Sequence, residues 1–162
     1  MFKWIKLFSD QYLGFWILGL MLFIVQEIPY IIMPLFKMES NPIMNMQETS
    51  MVLDICEKVL GSCCIFLMSF VVQRDVSVFS IGVGVNKLGF ICAIVVLLLN
   101  FFGWGLYFTG HQSIFVMMFF IVLMPPLYYI CIGLWRKNWL LLITGSAFII
   151  VHFIHVLGNL KA

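Results

Sequence analysis

A chain of 162 residues with 64% hydrophobic and 10% charged side chains cannot cover itself with a water-compatible surface, since soluble domains run near half apolar and a quarter charged. The formal net charge of +2 says nothing about nucleic acid, but no basic run is interleaved with aromatics, so no nucleic-acid partner is expected. The composition calls for an all-α, polytopic transmembrane helix bundle whose first partner is the lipid bilayer, organised as a single domain over residues 1–162.

A helix needs about 20 mostly apolar residues to cross roughly 30 Å of hydrocarbon. Five stretches qualify in chain order, at about 11–33, 51–72, 88–108, 114–134 and 139–157. Lys3 and Lys6 precede the first in the manner of a signal peptide, but no small-residue cleavage site follows, so it reads as an uncleaved span. With no water at that depth, each span must satisfy its own backbone, as a helix does. The period-two alternation of barrel strands is absent. The connections are polar and short: a long loop over 37–50, another over 73–87, and tight hairpins over 110–113 and 135–138.

Two spans carry backbone breaks. Pro125 and Pro126 fall in the middle of the fourth, where each removes an internal hydrogen bond and favours a kink. Pro29 and Pro34 lie near the far end of the first. Such prolines are tolerated when neighbours satisfy the freed carbonyls; the competing reading is a wedge between helices that admits a ligand. The cysteines, Cys56, Cys63, Cys64, Cys92 and Cys131, all fall in apolar stretches without a CxxC pair, so they read as small apolar helix residues.

Orientation follows from Lys and Arg. With the amino terminus cytoplasmic, the inner segments hold Lys3, Lys6, Arg74, Lys87, Arg136 and Lys137, against Lys37, Lys58 and Lys161 outside. An odd number of spans then puts the carboxyl terminus outside, in a multi-pass protein of the cell membrane.

Ionisable groups inside a membrane cost of order 2.5–3.5 kcal/mol each, which makes their depth informative. At 1.5 Å per residue, Glu27 lies roughly 7 Å below the outer boundary, Asp54 and Glu57 roughly 5 and 9 Å, and His152 and His155 roughly 10 and 6 Å. Three spans thus place carboxylates or imidazoles in one thin outer layer. Asp54 and Glu57 share a helix face, as do His152 and His155, because residues three apart are neighbours. Asn159 continues the histidine face, and His111 in the 110–113 hairpin caps the layer from above.

Two readings of this layer compete. Carboxylates with imidazoles suit a divalent metal, with His152, His155 and Glu57 as ligands, and the same groups can act as general acid and base. Against that, Asp54 and Glu57 sit in the first turns of a helix, where negative charge is favoured, and Lys58 is placed to pair with Asp54. Glu27, beside Gln26 and two residues before Pro29, calls for a bound partner of its own. The 37–50 loop mixes polar residues with Ile43, Met44 and Met46, folds over the outer mouth, and ends on Ser50 as a helix N-cap. No Walker A, GxSxG or HExxH motif occurs, so no cofactor is specified.

The segments Gln26-Glu27-Ile28-Pro29-Tyr30, Glu39-Ser40-Asn41-Pro42-Ile43-Met44-Asn45-Met46, Met124-Pro125-Pro126-Leu127-Tyr128-Tyr129 and Gly133-Leu134-Trp135-Arg136-Lys137 resemble small multi-pass bacterial membrane proteins without an assigned activity. A weaker likeness, carried by Glu27, Asp54 and Glu57, is to the sterol-isomerase and sigma-2-receptor superfamily, which implies acids in a membrane-embedded pocket beside a proline-bent helix. The function expected first is a non-enzymatic binding protein or accessory subunit, its outer polar layer serving a small ligand or a membrane protein partner. A membrane-embedded enzyme, metal- or acid/base-dependent and acting on a lipid, comes second, and a small transporter third.

Overall fold

The computed structural model describes residues 3–36, 38, 40–73, 77 and 80–161, with Lys3 and Trp4 described by their backbone alone. Lys37 and Arg74, two of the basic residues in the orientation argument, lie outside the described residues. The chain begins with strands β1 (Lys3–Phe8) and β2 (Gln11–Gly14). Helix α1 (Ile17–Ile32) follows and closes in a 3-10 turn, Met33–Leu35. After a loop come α2 (Met51–Phe70), β3 (Val71–Gln73) and α3 (Val85–Phe108). A short α4 (Ile114–Val116) runs through π-helical turns (Met117–Val122) into α5 (Met124–Arg136), and α6 (Trp139–Lys161) ends the chain.

Among the described residues, four segments are long and apolar enough to cross a membrane: Ile17–Leu35, Val85–Phe108, Ile114–Arg136 and Trp139–Lys161. The fifth long helix, α2, has 20 residues and so reaches about 30 Å, but Asp54, Glu57 and Lys58 crowd its first two turns. The protein is a helical membrane bundle with a small sheet at one end.

That sheet corrects the expected start of the first span. Gln11–Gly14 is not helix; β2 pairs antiparallel with β1 through Ile5↔Leu13 and with β3 through Gln11↔Gln73 and Leu13↔Val71. The helix begins only after Trp16, which is still extended. Gln11 explains the choice, because its amide needs partners that lipid cannot supply. At the sheet end, Gln11 Nε2 donates to Asn138 Oδ1 at 3.1 Å and to the Lys137 carbonyl at 3.3 Å. Val71 and Val72 likewise leave the second helix for β3, and α3 starts at Val85 rather than at residue 88.

Around the bundle, the Ile114–Arg136 segment is 56% buried against 22–28% for the other three, so α5 is the central element. Helix α3 approaches it closely at Gly89, where a Cβ would stand 2.6 Å from the Trp135 backbone nitrogen. Trp16, Cys64, Met68, Tyr128 and Leu141 fill the core toward the sheet end, and Trp104, Tyr107, Met117 and Ile121 fill it toward the opposite, loop end. Ile31, Leu98, Phe102, Ile150 and Ile154 face outward. In lipid such side chains need no cover, and helix association rests on close packing and hydrogen bonds.

The prolines of the central segment show how those bonds are arranged. Pro125 has no N–H for the carbonyl four residues back in an α-helix, or five back in a π-turn. Those carbonyls are Ile121 and Phe120, and both find side-chain donors: Tyr30 Oη donates to Ile121 O at 3.3 Å, and Asn100 Nδ2 to Phe120 O at 2.9 Å. The break is thus stitched to α1 and α3. In the first helix, α1 continues through Pro29 and gives way to the 3-10 turn that holds Pro34.

Candidate functional site

At the loop end, α2 begins and α6 finishes, and their polar faces meet as the three-residue spacings require. Ser50 opens α2 as its N-cap, its hydroxyl accepting from the Leu53 N–H at 3.4 Å. Asp54 and Glu57 follow on α2, and His152, His155 and Asn159 stand opposite on α6. His155 is the centre. Its Nδ1 is hydrogen-bonded to Glu57 Oε2, and its Nε2 lies 2.7 Å from Glu48 Oε1. His152 Nδ1 stands 3.1 Å from the other Glu57 oxygen, off the line of a hydrogen bond, with its ring stacked on Phe148. Glu57 therefore serves both histidines.

Glu48 was invisible to the reading of helix faces, because it lies in the loop before α2. The structure holds that loop across the bundle end. Thr49 donates to Asn159 Oδ1 from its N–H at 3.0 Å and its hydroxyl at 2.6 Å, which fixes the amide of Asn159 with Nδ2 3.1 Å from His155 Nε2. Farther along, Tyr107 Oη donates to Asn41 Oδ1 at 2.7 Å and accepts from the Ile43 N–H at 3.1 Å. Gln112 Nε2 donates to the Ser40 carbonyl at 2.9 Å. The expected closure over the bundle end has these bonds as its substance.

Electrostatics follow from the same contacts. The His155 ring at hydrogen-bond distance, and then the Ser50 N–H at 3.0 Å, hold the Glu48 carboxyl below its ordinary value of 4.5. Asp54 spends one oxygen on Lys58 Nζ at 2.7 Å, the expected pair one turn apart.

Glu48, Asp54 and His155 each offer a ligand atom, all within 4.8 Å of one another. Around a tetrahedral zinc with bonds near 2.0 Å, ligand atoms stand about 3.3 Å apart, so Glu48 Oε1, 2.7 Å from His155 Nε2, has to step back to admit the ion. Glu48 has that freedom, its side chain being 45% exposed on the loop. Glu57 fits a different role. A metal-bound imidazole donates its second N–H to a carboxylate, and Glu57 meets His155 at Nδ1 while Nε2 faces the acids of the loop and of α2. The ligands expected from sequence were His152, His155 and Glu57; the geometry instead groups Glu48 and Asp54 with His155 and leaves Glu57 between the two rings.

The remaining candidates stand apart. Glu27 is half-buried on α1 and forms no hydrogen bond or ion pair among the described residues. Its neighbour Gln26 is buried, with its side-chain amide beside the Tyr129 hydroxyl. His111 is exposed in the hairpin after α3, its Nδ1 3.3 Å from Thr109 Oγ1. No protein-family model, curated protein or solved structure matches the chain, so these side chains carry the functional argument themselves.

Proposed function

We propose that this chain is a non-enzymatic binding protein or accessory subunit of a bacterial cell membrane that holds one divalent transition-metal ion at its outer ionic cluster. The observation that carries this reading is the pairing of His155 Nδ1 with Glu57, which turns Nε2 toward Glu48 and Asp54. With a carboxylate on each nitrogen, both nitrogens donate only in the doubly protonated ring. An incoming ion displaces the Nε2 proton, takes up the lone pair and is met by two carboxylates. Histidine with carboxylates suits zinc, iron or manganese over magnesium or calcium. The amino terminus is cytoplasmic in this proposal, because among the described residues Lys6, Lys87, Arg136 and Lys137 gather at the sheet end and only Lys58 and Lys161 lie toward the loop end.

A second reading has one feature in its favour. Three protein ligands leave a coordination position for water or substrate, as in catalytic zinc sites, and that position would face lipid headgroups at the membrane surface.

Cobalt(II) titration of the chelator-stripped protein in detergent, followed by visible absorption and metal analysis, tests the proposal. One ion per chain is expected, lost in His155→Gln, weakened in Glu48→Gln and kept in Lys58→Ala. Absence of stoichiometric metal in the unaltered protein overturns it and leaves the cluster as a latch for the loop. Hydrolysis of a phospholipid by the metal-loaded form would favour the enzyme.

A further inference from the structure

At the sheet end, two depressions adjoin on the outside of the bundle. One is an apolar groove of about 380 Å³ between the start of α3 and the α5–α6 hairpin, lined by Val85, Leu134, Trp139 and Leu142. The other is a smaller recess of about 240 Å³, bordered by Gln73, Ser80, Gly82 and Trp135. Asn86 and Lys137 line both. A greasy channel joined through a single cation to a recess of mixed polar and apolar lining has the outline of an amphiphile.

We propose that this double depression binds one anionic glycerophospholipid of the surrounding bilayer, its acyl chain in the groove and its phosphate beside Lys137. Charge complementarity selects this occupant. Lys137 is exposed and forms no ion pair among the described residues, and Lys87, also exposed, follows Asn86 on the first turn of α3. Basic pockets between membrane helices recognise anionic headgroups in this way. Gln73 and Ser80 add polar groups to the border of the recess. Trp139, 54% exposed at the groove's edge, suits the interfacial level at which a headgroup meets its chains. Asn86 is pre-set, its Nδ2 donating to the Trp135 carbonyl at 3.0 Å.

The backbone at Lys137 determines how the test is built. With φ 50° and ψ 36° it is left-handed, a conformation asparagine tolerates better than other uncharged residues with a side chain. Lys137→Asn therefore removes charge with little backbone strain, and Lys137→Arg restores it. The protein is reconstituted in nanodiscs of equal phosphatidylglycerol and phosphatidylcholine, released and weighed by native mass spectrometry. The unaltered protein is expected to retain phosphatidylglycerol over phosphatidylcholine by about fivefold, the ratio that roughly 1 kcal/mol per basic residue delivers. That preference should vanish in Lys137→Asn and return in Lys137→Arg, while Leu142→Trp, which fills the groove, should lose both lipids. Equal retention of the two lipids by the unaltered protein overturns the proposal. So does a preference that survives in folded Lys137→Asn. A preference reproduced by inorganic phosphate alone, without an acyl chain, counts against it as well.

Discussion

His155 concentrates more of this protein's chemistry than any other side chain. It is buried, and the two carboxylates at its nitrogens tie both the loop and α2 to α6. Replacing it with glutamine leaves Glu57 charged and half-buried against an amide. Bonds to charged groups contribute roughly 1.5–3 kcal/mol each, so a loss in that range is expected from metal-free unfolding in detergent. Lys58→Ala should leave the same transition unmoved, since the Lys58 side chain is exposed and surface pairs contribute little. A second residue-scale prediction concerns the proline break. Tyr30→Phe strips the donor from the Ile121 carbonyl and should cost about 1–3 kcal/mol as an unsatisfied buried acceptor. Asn100→Leu should do the same at Phe120, and a double variant that costs no more than either single one would sink the idea that two separate carbonyls are served.

At the scale of elements, helices declared themselves through uninterrupted apolar runs, and the layer shared by α2 and α6 could be read from a rise of 1.5 Å per residue. What that arithmetic lacks is azimuth. Glu27 sits at a comparable height to Glu57, yet height alone does not say which way around the bundle a side chain points, and Glu27 takes no part in the His155 contacts. Glu48 escaped for another reason: a loop residue has no periodicity, and only the Thr49–Asn159 bonds bring it to the ring. The strands were hidden because Tyr12, Leu13 and Gly14 merge without a break into the apolar run of α1. Gly89 gives this scale its prediction. Leucine there has to displace the Trp135 backbone and should force α3 off α5, at the 1–3 kcal/mol typical of overpacking. Crosslinking between cysteines placed on the two helices should fall in parallel; unchanged crosslinking would mean the close approach is not required.

For the whole molecule, five long helices among the described residues put the two ends of the chain on opposite faces if α2 crosses despite its charged first turns. In a cysteine-free background, single cysteines at Lys6 and Lys161 should react with an impermeant thiol reagent from opposite sides of a sealed vesicle, Lys161 from outside in intact cells. Labelling of both positions from one side would reduce the crossings to four, with α2 lying partly in the interface. The bundle also differs in chemistry between its ends: ionic at the loop end, and basic with indole rings at the sheet end. There Arg136 stacks on Trp16 at 4.5 Å and donates to the Ser77 carbonyl at 3.2 Å.

The pairing of β2 with β3 has a consequence for biosynthesis. Gln11 cannot meet Gln73 until everything between them has left the ribosome. At roughly 5–20 residues per second, that leaves the amino-terminal ribbon waiting for several seconds while α1 and α2 enter the bilayer. Throughout that interval β2 exposes an edge with no third strand, open to any extended chain nearby. Completion of α2 therefore acts as the event that ties off the beginning of the polypeptide, and translation stalled before Gln73 should leave that ribbon open to protease.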